Sequence, residues 1–575
     1  MKIIRRTATD ASHLLDGMQP VLQRIYAARN IGSAQELDYS LEHLHTPAAF
    51  GSNMNRAVTL LATALAENKR MVVVADFDAD GATSCALALR ALRLMGARDV
   101  RYVVPDRFKY GYGLTPEIVA VTAQLSPDLL ITVDNGISSV EGVLAAKQNG
   151  MQVIITDHHL PGVLLPEADA IVNPNQPGEE FPSKNLAGVG VIFYVMLALR
   201  AHLRTTHWFR EKNIPEPNLA QLLDLVALGT VADVVTLDNN NRILVAQGLQ
   251  RIRSARSNAG IRALLAVAGR QPERIGASDL AFAVAPRLNA AGRLEDMALG
   301  IECLLCDDYA AALGMAQRLD ELNRERRAIE SDMQEQALSA LAAMQLDDET
   351  ALPHGLCLFD PAWHQGVIGI LAARIKERVH RPVIAFAQTD GEEIKGSARS
   401  VPGVHIRDVF DSIAARHPGL LSKFGGHAMA AGLTLRRTQL DDFSRAFDLE
   451  VRRHLAPEQM QRIILSDGEL DADAMDVALA QTLRDAGPWG QGFPEPVFDG
   501  EFEILKQRKV GEKHLKLTVR HPQGGPALDA IAFNIAADDL SRLEGASRAH
   551  LVYKLDINDY RGVRSAQLVI EHIMK

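Results

Sequence analysis

Three aspartates at alternate positions, Asp76, Asp78 and Asp80, follow an apolar run in the stretch MVVVADFDADG. Three further places repeat the pattern of an apolar run ending in acid or imidazole. These are Asp134 in ITVDNG, Asp157 with His158 and His159 in IITDHH, and Asp233 in GTVADVV. Carboxylates brought within a few Å of one another raise each other's pKa unless a cation neutralises them. An oxygen-rich set with one or two imidazoles favours Mn²⁺ or Mg²⁺ over zinc. Six or more such ligands are enough for two ions. Two ions about 3.5–4 Å apart can activate a water and steady the leaving oxygen of a phosphoester.

Such chemistry requires that one scaffold bring the four places together. From residue 70 the sequence alternates RMVVVAD, VRYVVPD, DLLITVD and MQVIITD with helix-like segments, among them ATSCALALRALRLMG and TPEIVAVTAQL. Short, continuously apolar strands separated by helices predict a parallel sheet covered on both faces. Ligands of such sheets lie at the carboxyl ends of the strands, which is where these acids fall. DFDADG also matches the start of a calcium-binding EF-hand loop. That loop needs a glutamate at its twelfth position, here Leu87, and a helix before it. DADGAT could alternatively present Asp78 as a covalent nucleophile, but that leaves Asp134 and the two histidines unexplained. Helix capping would account for any one of the aspartates, though not for the whole set.

The 575 residues exceed a single core and predict three or four domains. A net charge of -10 gives no global support for nucleic-acid binding, which then requires a local basic groove. The amino-terminal stretch lacks the apolar core of a signal peptide, and the 13-residue run at 187 to 199 is too short to cross a bilayer, so a cytoplasmic protein without a membrane partner is expected. Four cysteines fit a reducing compartment, and Cys303 with Cys306 reads as a pair of buried helix residues. One long helical pattern spans about 308 to 345, with Leu319, Leu322, Ile329, Met333, Leu338 and Leu341 roughly on one side. A second αβ segment follows to about 455. GPWGQGFPEP then breaks the pattern, and five strand-like runs in about 80 residues predict a small barrel. Lys506, Arg508, Lys509, Lys513, Lys516 and Arg520 form a basic stripe on it. In DRFKYGYGL, Arg107 and Lys109 alternate with Phe108, Tyr110 and Tyr112, a mixture suited to stacked single strands or to a packed loop.

In order and spacing, DFDADG, VDNGIS, TDHH and GTVADVV resemble the motifs of the DHH phosphoesterase superfamily. GSARS (396 to 400) and FGGHAMAAGL (424 to 433) resemble its DHHA1 domain, and APRLNAAGRL with WHQGVIGI narrows the resemblance to the bacterial single-strand-specific DNA exonucleases. The resemblance implies an α/β protein. Residues 1–50 form an amino-terminal helical segment, 51–300 a parallel-sheet DHH catalytic domain and 301–348 a long connecting helix. A mixed α/β DHHA1 domain spans 349–455, and an OB-like nucleic-acid-binding β-barrel spans 456–575. It implies two Mn²⁺ or Mg²⁺ ions, one on Asp76, Asp78 and Asp134, the other on Asp80, Asp134, His158 and Asp233. Where several members carry a histidine slightly before the acidic turn, this chain has Val74.

The same resemblance implies that Asp157 orients its neighbouring histidine and that His159 contacts the scissile phosphate. Substrate-binding roles fall to Arg287, Asn289, Arg293, Gln365, Ser397, Arg399, Gly425, Gly426 and His427. The implied activity is 5′→3′ degradation of single-stranded DNA to mononucleotides in repair and recombination, with single-strand-binding protein and a helicase as partners. Two other functions compete: a DHH phosphodiesterase for short oligonucleotides or another small phosphoester, and a nucleic-acid-binding protein without catalysis. The barrel and the long helix favour the exonuclease over the small-substrate enzyme, and the intact acid set disfavours binding alone.

Overall fold

The computed structural model describes residues 2–7, 17–106, 109–110, 113–343, 353–389, 391–455, 463–511, 514–533, 535, 540, 543, 546–560 and 562–574. Arg107, Phe108, Tyr112 and Lys513 therefore lie outside the described residues, as do 344–348 of the expected long helix. The chain divides into two compact units, Met1–Ile4 with Glu321–Ile464, and Arg5–Asp320 with Leu465–Lys575.

In the second of these units the apolar runs become strands β1 (Met71–Ala75), β2 (Val100–Val103), β3 (Leu129–Val133), β4 (Gln152–Thr156) and β5 (Ala170–Val172). All pair in parallel, in the order β2–β1–β3–β4–β5. Every residue of β1 and β3 is buried, because helices cover both faces and leave no side for polar residues. The order reverses between β1 and β3, since β2 lies on the opposite side of β1 from β3. The crevice at such a reversal is where an open α/β sheet admits a ligand. Asp76 leaves β1 and Asp134 leaves β3 at this point.

Helix Ala79–Leu94 starts at once behind β1, with Asp78 as its cap. Helix Pro116–Ala123 is capped by Thr115, whose hydroxyl accepts from the Ile118 amide, with proline at its first position. The apolar run at 187 to 199 proves part of a longer helix, Gly188–Thr205. Its 18 residues are long and apolar enough to cross a bilayer. Val191, Ile192, Phe193, Tyr194 and Met196 are nevertheless buried inside the unit, as expected of a core helix. Cys303 is buried in helix Ala298–Leu305, whereas Cys306 follows that helix as its carboxyl cap and is half-buried, so only the first is a buried helix residue. The Cys306 thiol donates to the Asp308 carbonyl at 3.2 Å.

The expected long helix runs over Tyr309–Ala343, and Leu319, Leu322 and Met333 are buried along it. In the unit that contains Glu321–Ile464, β6 (Leu356–Phe359), β7 (Val383–Gln388), β8 (Glu393–Arg399), β9 (Lys423–Gly426) and β10 (Ala430–Arg436) form a mixed sheet in the order β9–β10–β8–β7–β6. Only β6 and β7 are parallel.

The carboxyl-terminal strands close a barrel: β11 (Phe498–Val510), β12 (His514–His521), β13 (Gly524–Ala532), β14 (Arg548–Tyr560) and β15 (Val563–Met574), in the order β11–β12–β13–β15–β14. The basic stripe divides. Leu515, Leu517 and Val519 point inward, so Lys516, Thr518 and Arg520 point outward. Lys506 stands opposite Thr518 and Arg508 opposite Lys516, on the outer face, but Lys509 stands opposite inward-pointing Leu515. Lys516 is neutralised by Asp529 at 2.6 Å. Lys506 and Arg508 remain as the exposed outer-face cations of β11.

Part of the amino-terminal segment joins the barrel. Ile25, on helix Pro20–Ala27, belongs to the same buried apolar cluster as Phe498, Leu517 and Tyr553. Arg29 just beyond it forms a fork on Asp467, with nitrogen–oxygen distances of 2.8 and 3.0 Å, and both side chains are 1 % exposed. Removing one partner of a buried pair costs about 3–5 kcal/mol when the other is left uncompensated. Asp467 would keep Arg6 at 3.8 Å, so Arg29→Ala should lower the full chain's stability to chemical denaturation by no more than that amount. An unchanged unfolding curve would show that the segment is not anchored this way.

Candidate metal centre and phosphate-binding residues

The acidic turn after β1 is held by its own backbone. Asp78 accepts from the amides of Asp80 and Gly81 at 2.9 and 3.0 Å, so the capping role weighed for these aspartates is real for this one. Its second oxygen is left for the site. The Asn289 side-chain carbonyl accepts from the Ala79 amide at 2.8 Å. Asp80 reaches across to helix Gly188–Thr205, where its two oxygens accept from the amides of Gly188 and Val189 at 2.6 and 2.9 Å. It thus caps a helix more than a hundred residues away, whose own cap residue, Ala187, has no side chain for the task.

Asp134 leaves β3 with φ of 63°, a left-handed conformation in which few non-glycine residues occur. Such strain persists where its surroundings dictate it. A Cβ added to Gly188 would stand 2.6 Å from Asp134 Oδ1, so only glycine lets that helix start against the aspartate.

These elements bring together the predicted ligands. Asp76, Asp78 and Asp134 each offer an oxygen, all within 4.8 Å of one another, and Asp80, His158 and Asp233 form a second such group. Asp134 also groups with His158 and His159. His158 Nε2 lies 3.1 Å from Asp134 and 3.5 Å from Asp233. Val74, where several family members place a histidine, is a fully buried β1 residue.

Electrostatics give the fit. Burial and then the charge of Asp233 push Asp80 up to about 7. Burial and then Asp78 push Asp233 up to about 8. Burial and then Asp80 hold Asp134 well above the carboxylate range. Burial followed by the neighbouring His159 lowers His158, which favours the neutral imidazole that binds metals. Hard divalent cations would reverse the carboxylate shifts, and five carboxylates with one imidazole suit them.

Burial alone would raise Asp157, but its bond to His159 leads a set of contacts that hold it below the ordinary range. One oxygen accepts from the Ile137 amide at 2.9 Å. The other accepts from the His158 amide at 2.7 Å and lies 2.8 Å from His159 Nδ1. Burial opposes protonation of His159, yet the Asp157 bond and charge raise it to about 9. Two asparagines that sequence reasoning missed secure the histidine backbone. Asn175 donates to the His158 carbonyl at 2.6 Å and Asn173 to the His159 carbonyl at 2.9 Å. The signal was the polar NPNQ directly behind β5.

The remaining predicted residues fall into two groups. In the unit holding the metal set, Arg287 is buried and paired with Asp320 at 2.7 Å, and Arg293 is half-buried in the last turn of helix Ala285–Leu294. In the unit containing Glu321–Ile464, Arg399 Nη1 donates to Ser397 Oγ at 3.1 Å and to the Ala398 carbonyl at 2.8 Å. Arg399 forms no ion pair with a carboxylate among the described residues, and burial lowers its pKa, which a bound anion would oppose. A Cβ on Gly369 would stand 2.9 Å from Arg399 Nη2, so the start of helix Ile368–Val379 abuts this pair. Gln365 Nε2 donates to the Gln388 carbonyl at 2.9 Å. Gly425 and Gly426 end β9, Gly426 with φ of 138°, and the exposed His427 continues into the turn.

This combination, acids gathered at the switch point of a parallel sheet together with a separate unit carrying an arginine–serine pair, defines a DHH-type phosphoesterase. Residues 70–230 match the DHH family, N-terminal domain, 352–453 the DHHA1 domain and 466–572 the RecJ OB domain. The single-stranded-DNA-specific exonuclease RecJ of Dickeya dadantii (strain 3937) is 53% identical over 571 residues, which cover 99% of this chain and 98% of that one. The chain belongs to the RecJ family. The crystal structure of RecJ from Thermus thermophilus in complex with Mn²⁺ superposes with a TM-score of 0.80 at 28% identity, covering 100% of this chain and 79% of the other. Its complex with Mg²⁺ gives 0.76 at 27%, covering 100% and 78%.

Because Gly188 lets Asp134 sit where it does, Gly188→Ala should raise the Mn²⁺ concentration needed for half-maximal cleavage by about 10–100-fold, the usual cost of disturbing a ligand's support. Cleavage indistinguishable from wild type at every Mn²⁺ concentration would mean that this contact does not position Asp134.

Proposed function

We propose that this protein is a metal-dependent exonuclease that degrades single-stranded DNA from the 5′ end to mononucleotides, in DNA repair and recombination. One observation carries the reading: four strand and helix ends deliver to a single crevice two ligand groups, Asp76 with Asp78 and Asp134, and Asp80 with His158 and Asp233, linked by a third in which Asp134 meets His158 and His159. Asp76, Asp78 and Asp134 hold one Mn²⁺ or Mg²⁺, and Asp80, Asp134, His158 and Asp233 hold the other, with Asp134 common to both. Such a pair of ions supplies an activated water and charge for the leaving oxygen.

The chain's own groups do the rest. Asp157 is a carboxylate and can only accept, so His159 Nδ1 carries the proton between them, and Nε2 is left to face the scissile phosphate. Asn289 maintains the turn that presents Asp78 and Asp80, and Arg287 with Arg293 lies on the helix that brings Asn289 there. In the other unit Ser397, Arg399 and the Gly425–Gly426–His427 turn hold phosphates near the 5′ end, with Gln365 fixing the neighbouring loop. The barrel supplies remote contacts to a longer strand. Lys506 and Arg508 are exposed on it, and Phe533, 56% exposed, packs edge-on against His514 as a platform for bases.

A helicase that exposes single strands and a single-strand-binding protein that covers them are the partners such an activity meets. The cytoplasm, where the four free cysteines stay reduced, is its compartment.

Asp134→Ala tests the reading. Cleavage of a labelled single strand in Mn²⁺ should fall by at least about 10²-fold, while affinity for the same strand, measured in chelator, stays within a few-fold of wild type because it derives from cations elsewhere. Substantial cleavage by the folded variant would remove the two-ion reading.

A further inference from the structure

The catalytic unit carries a second cavity that this activity does not use. It has a volume of about 510 Å³ and opens at the far ends of the two helices that present Asp80 and Asp233. Arg93 lies thirteen residues beyond Asp80 on helix Ala79–Leu94, about 20 Å along it at the usual rise per residue.

Five arginines line the cavity, Arg90, Arg93, Arg251, Arg256 and Arg262, in a chain whose net charge is -10. Two carboxylates accompany them, leaving a surplus of three positive charges (5 − 2). Both carboxylates are engaged. Asp224 accepts from the amides of Asn258 and Leu225 at 2.6 and 2.9 Å, and Asp307 accepts from Arg90 at 2.8 Å. Arg90 also donates to the carbonyls of Leu304 and Leu305 and is structural. Arg93, Arg251, Arg256 and Arg262 form no ion pair among the described residues.

A second observation points to a ligand. Ser257 lines the same cavity and is only 9% exposed, yet its buried hydroxyl has no hydrogen-bond partner among the described residues. Native structures seldom leave such a group unsatisfied without a reason. Helix Ala259–Val267 begins two residues later, with Asn258 as its cap, and adds the positive end of its dipole. Arginine forks match the oxygens of a phosphate monoester. The volume is that of a small-molecule site, and Leu94, 40% exposed at the rim, offers apolar surface to a base.

We propose that this cavity binds a free nucleotide through its phosphate, at a site separate from the catalytic crevice. A strand's backbone has the same phosphate chemistry, and the concave form favours the free nucleotide.

The experiment uses the full chain in chelator, so that nothing is cleaved, and titrates calorimetrically with 5′-dAMP, inorganic phosphate and an oligothymidylate. Wild type should bind dAMP more tightly than phosphate. The double variant Arg256→Glu, Arg262→Glu should lose at least about tenfold in affinity for dAMP at one class of site. Ser257→Ala should lose about three- to tenfold, with an unchanged thermal transition, because the hydroxyl bonds nothing in the free protein. Both should cleave single-stranded DNA in Mn²⁺ at the wild-type rate when no nucleotide is added. Unchanged dAMP binding in the double variant would make the cavity an ordinary solvated basic surface and overturn the proposal. A loss confined to the oligothymidylate would overturn it too, assigning the arginines to a strand. Should the double variant not fold, Ser257→Ala decides alone: wild-type dAMP affinity in it rejects the site.

Discussion

Mutual repulsion among buried carboxylates is the constraint on which the catalytic unit is built. Asp76, Asp80 and Asp134 are each 5% exposed or less, and they share one end of one sheet with Asp78 and Asp233. Burial first, and then this repulsion, makes such groups take up protons, as the raised values of Asp80, Asp233 and Asp134 indicate. The fold opposes this only in part. Two helix amides bind Asp80, backbone amides bind Asp78, and the remainder is left for cations to offset. A scaffold that satisfied every acid internally would have no reason to bind metal.

Several local features follow from keeping those acids in place. Asp134 keeps a left-handed backbone because β3 must end there and the carboxylate must turn toward His158. Val234, directly after Asp233, also has a positive φ, 61°, a strained state for a β-branched residue. Its segment is then tied down by the proline- and glycine-rich stretch before the barrel, where the Leu237 amide donates to the Gln491 carbonyl at 2.7 Å. That stretch, which reads in sequence as a simple break, therefore braces the segment that follows Asp233. Asp157 does for the two histidines what Asp78 does for the acidic turn: one carboxylate orders several backbone amides and a functional side chain.

The strands and their terminal acids were legible because a continuously apolar run that stops at an aspartate fits little except the end of a buried strand. The three-part arrangement of sheet, mixed sheet and barrel was legible for a related reason, from the change in element pattern. What sequence could not give depended on partners distant along the chain. Nothing near Ala187 shows that Asp80 will cap its helix, and nothing near Arg287 shows that Asp320 will receive it. The basic stripe was misjudged because register decides which side a charge faces. Alternation along β11 puts Lys509 and Arg508 on opposite faces, and the irregularity between Ile504 and Lys506 makes Arg508 the one that shares the face of Lys516. The joining of the first helix to the barrel core is likewise a contact across more than four hundred residues. Family resemblance supplied the roles of Ser397 and Arg399, whose local sequence is otherwise that of an ordinary strand.

The central claim is that this crevice holds two divalent ions that share Asp134. Titration of the metal-free protein with Mn²⁺, followed by electron paramagnetic resonance, tests it most directly. The account predicts two bound equivalents per chain and, as the second binds, the magnetic coupling of a closely spaced pair. A single bound equivalent, or two that show no coupling, would contradict it.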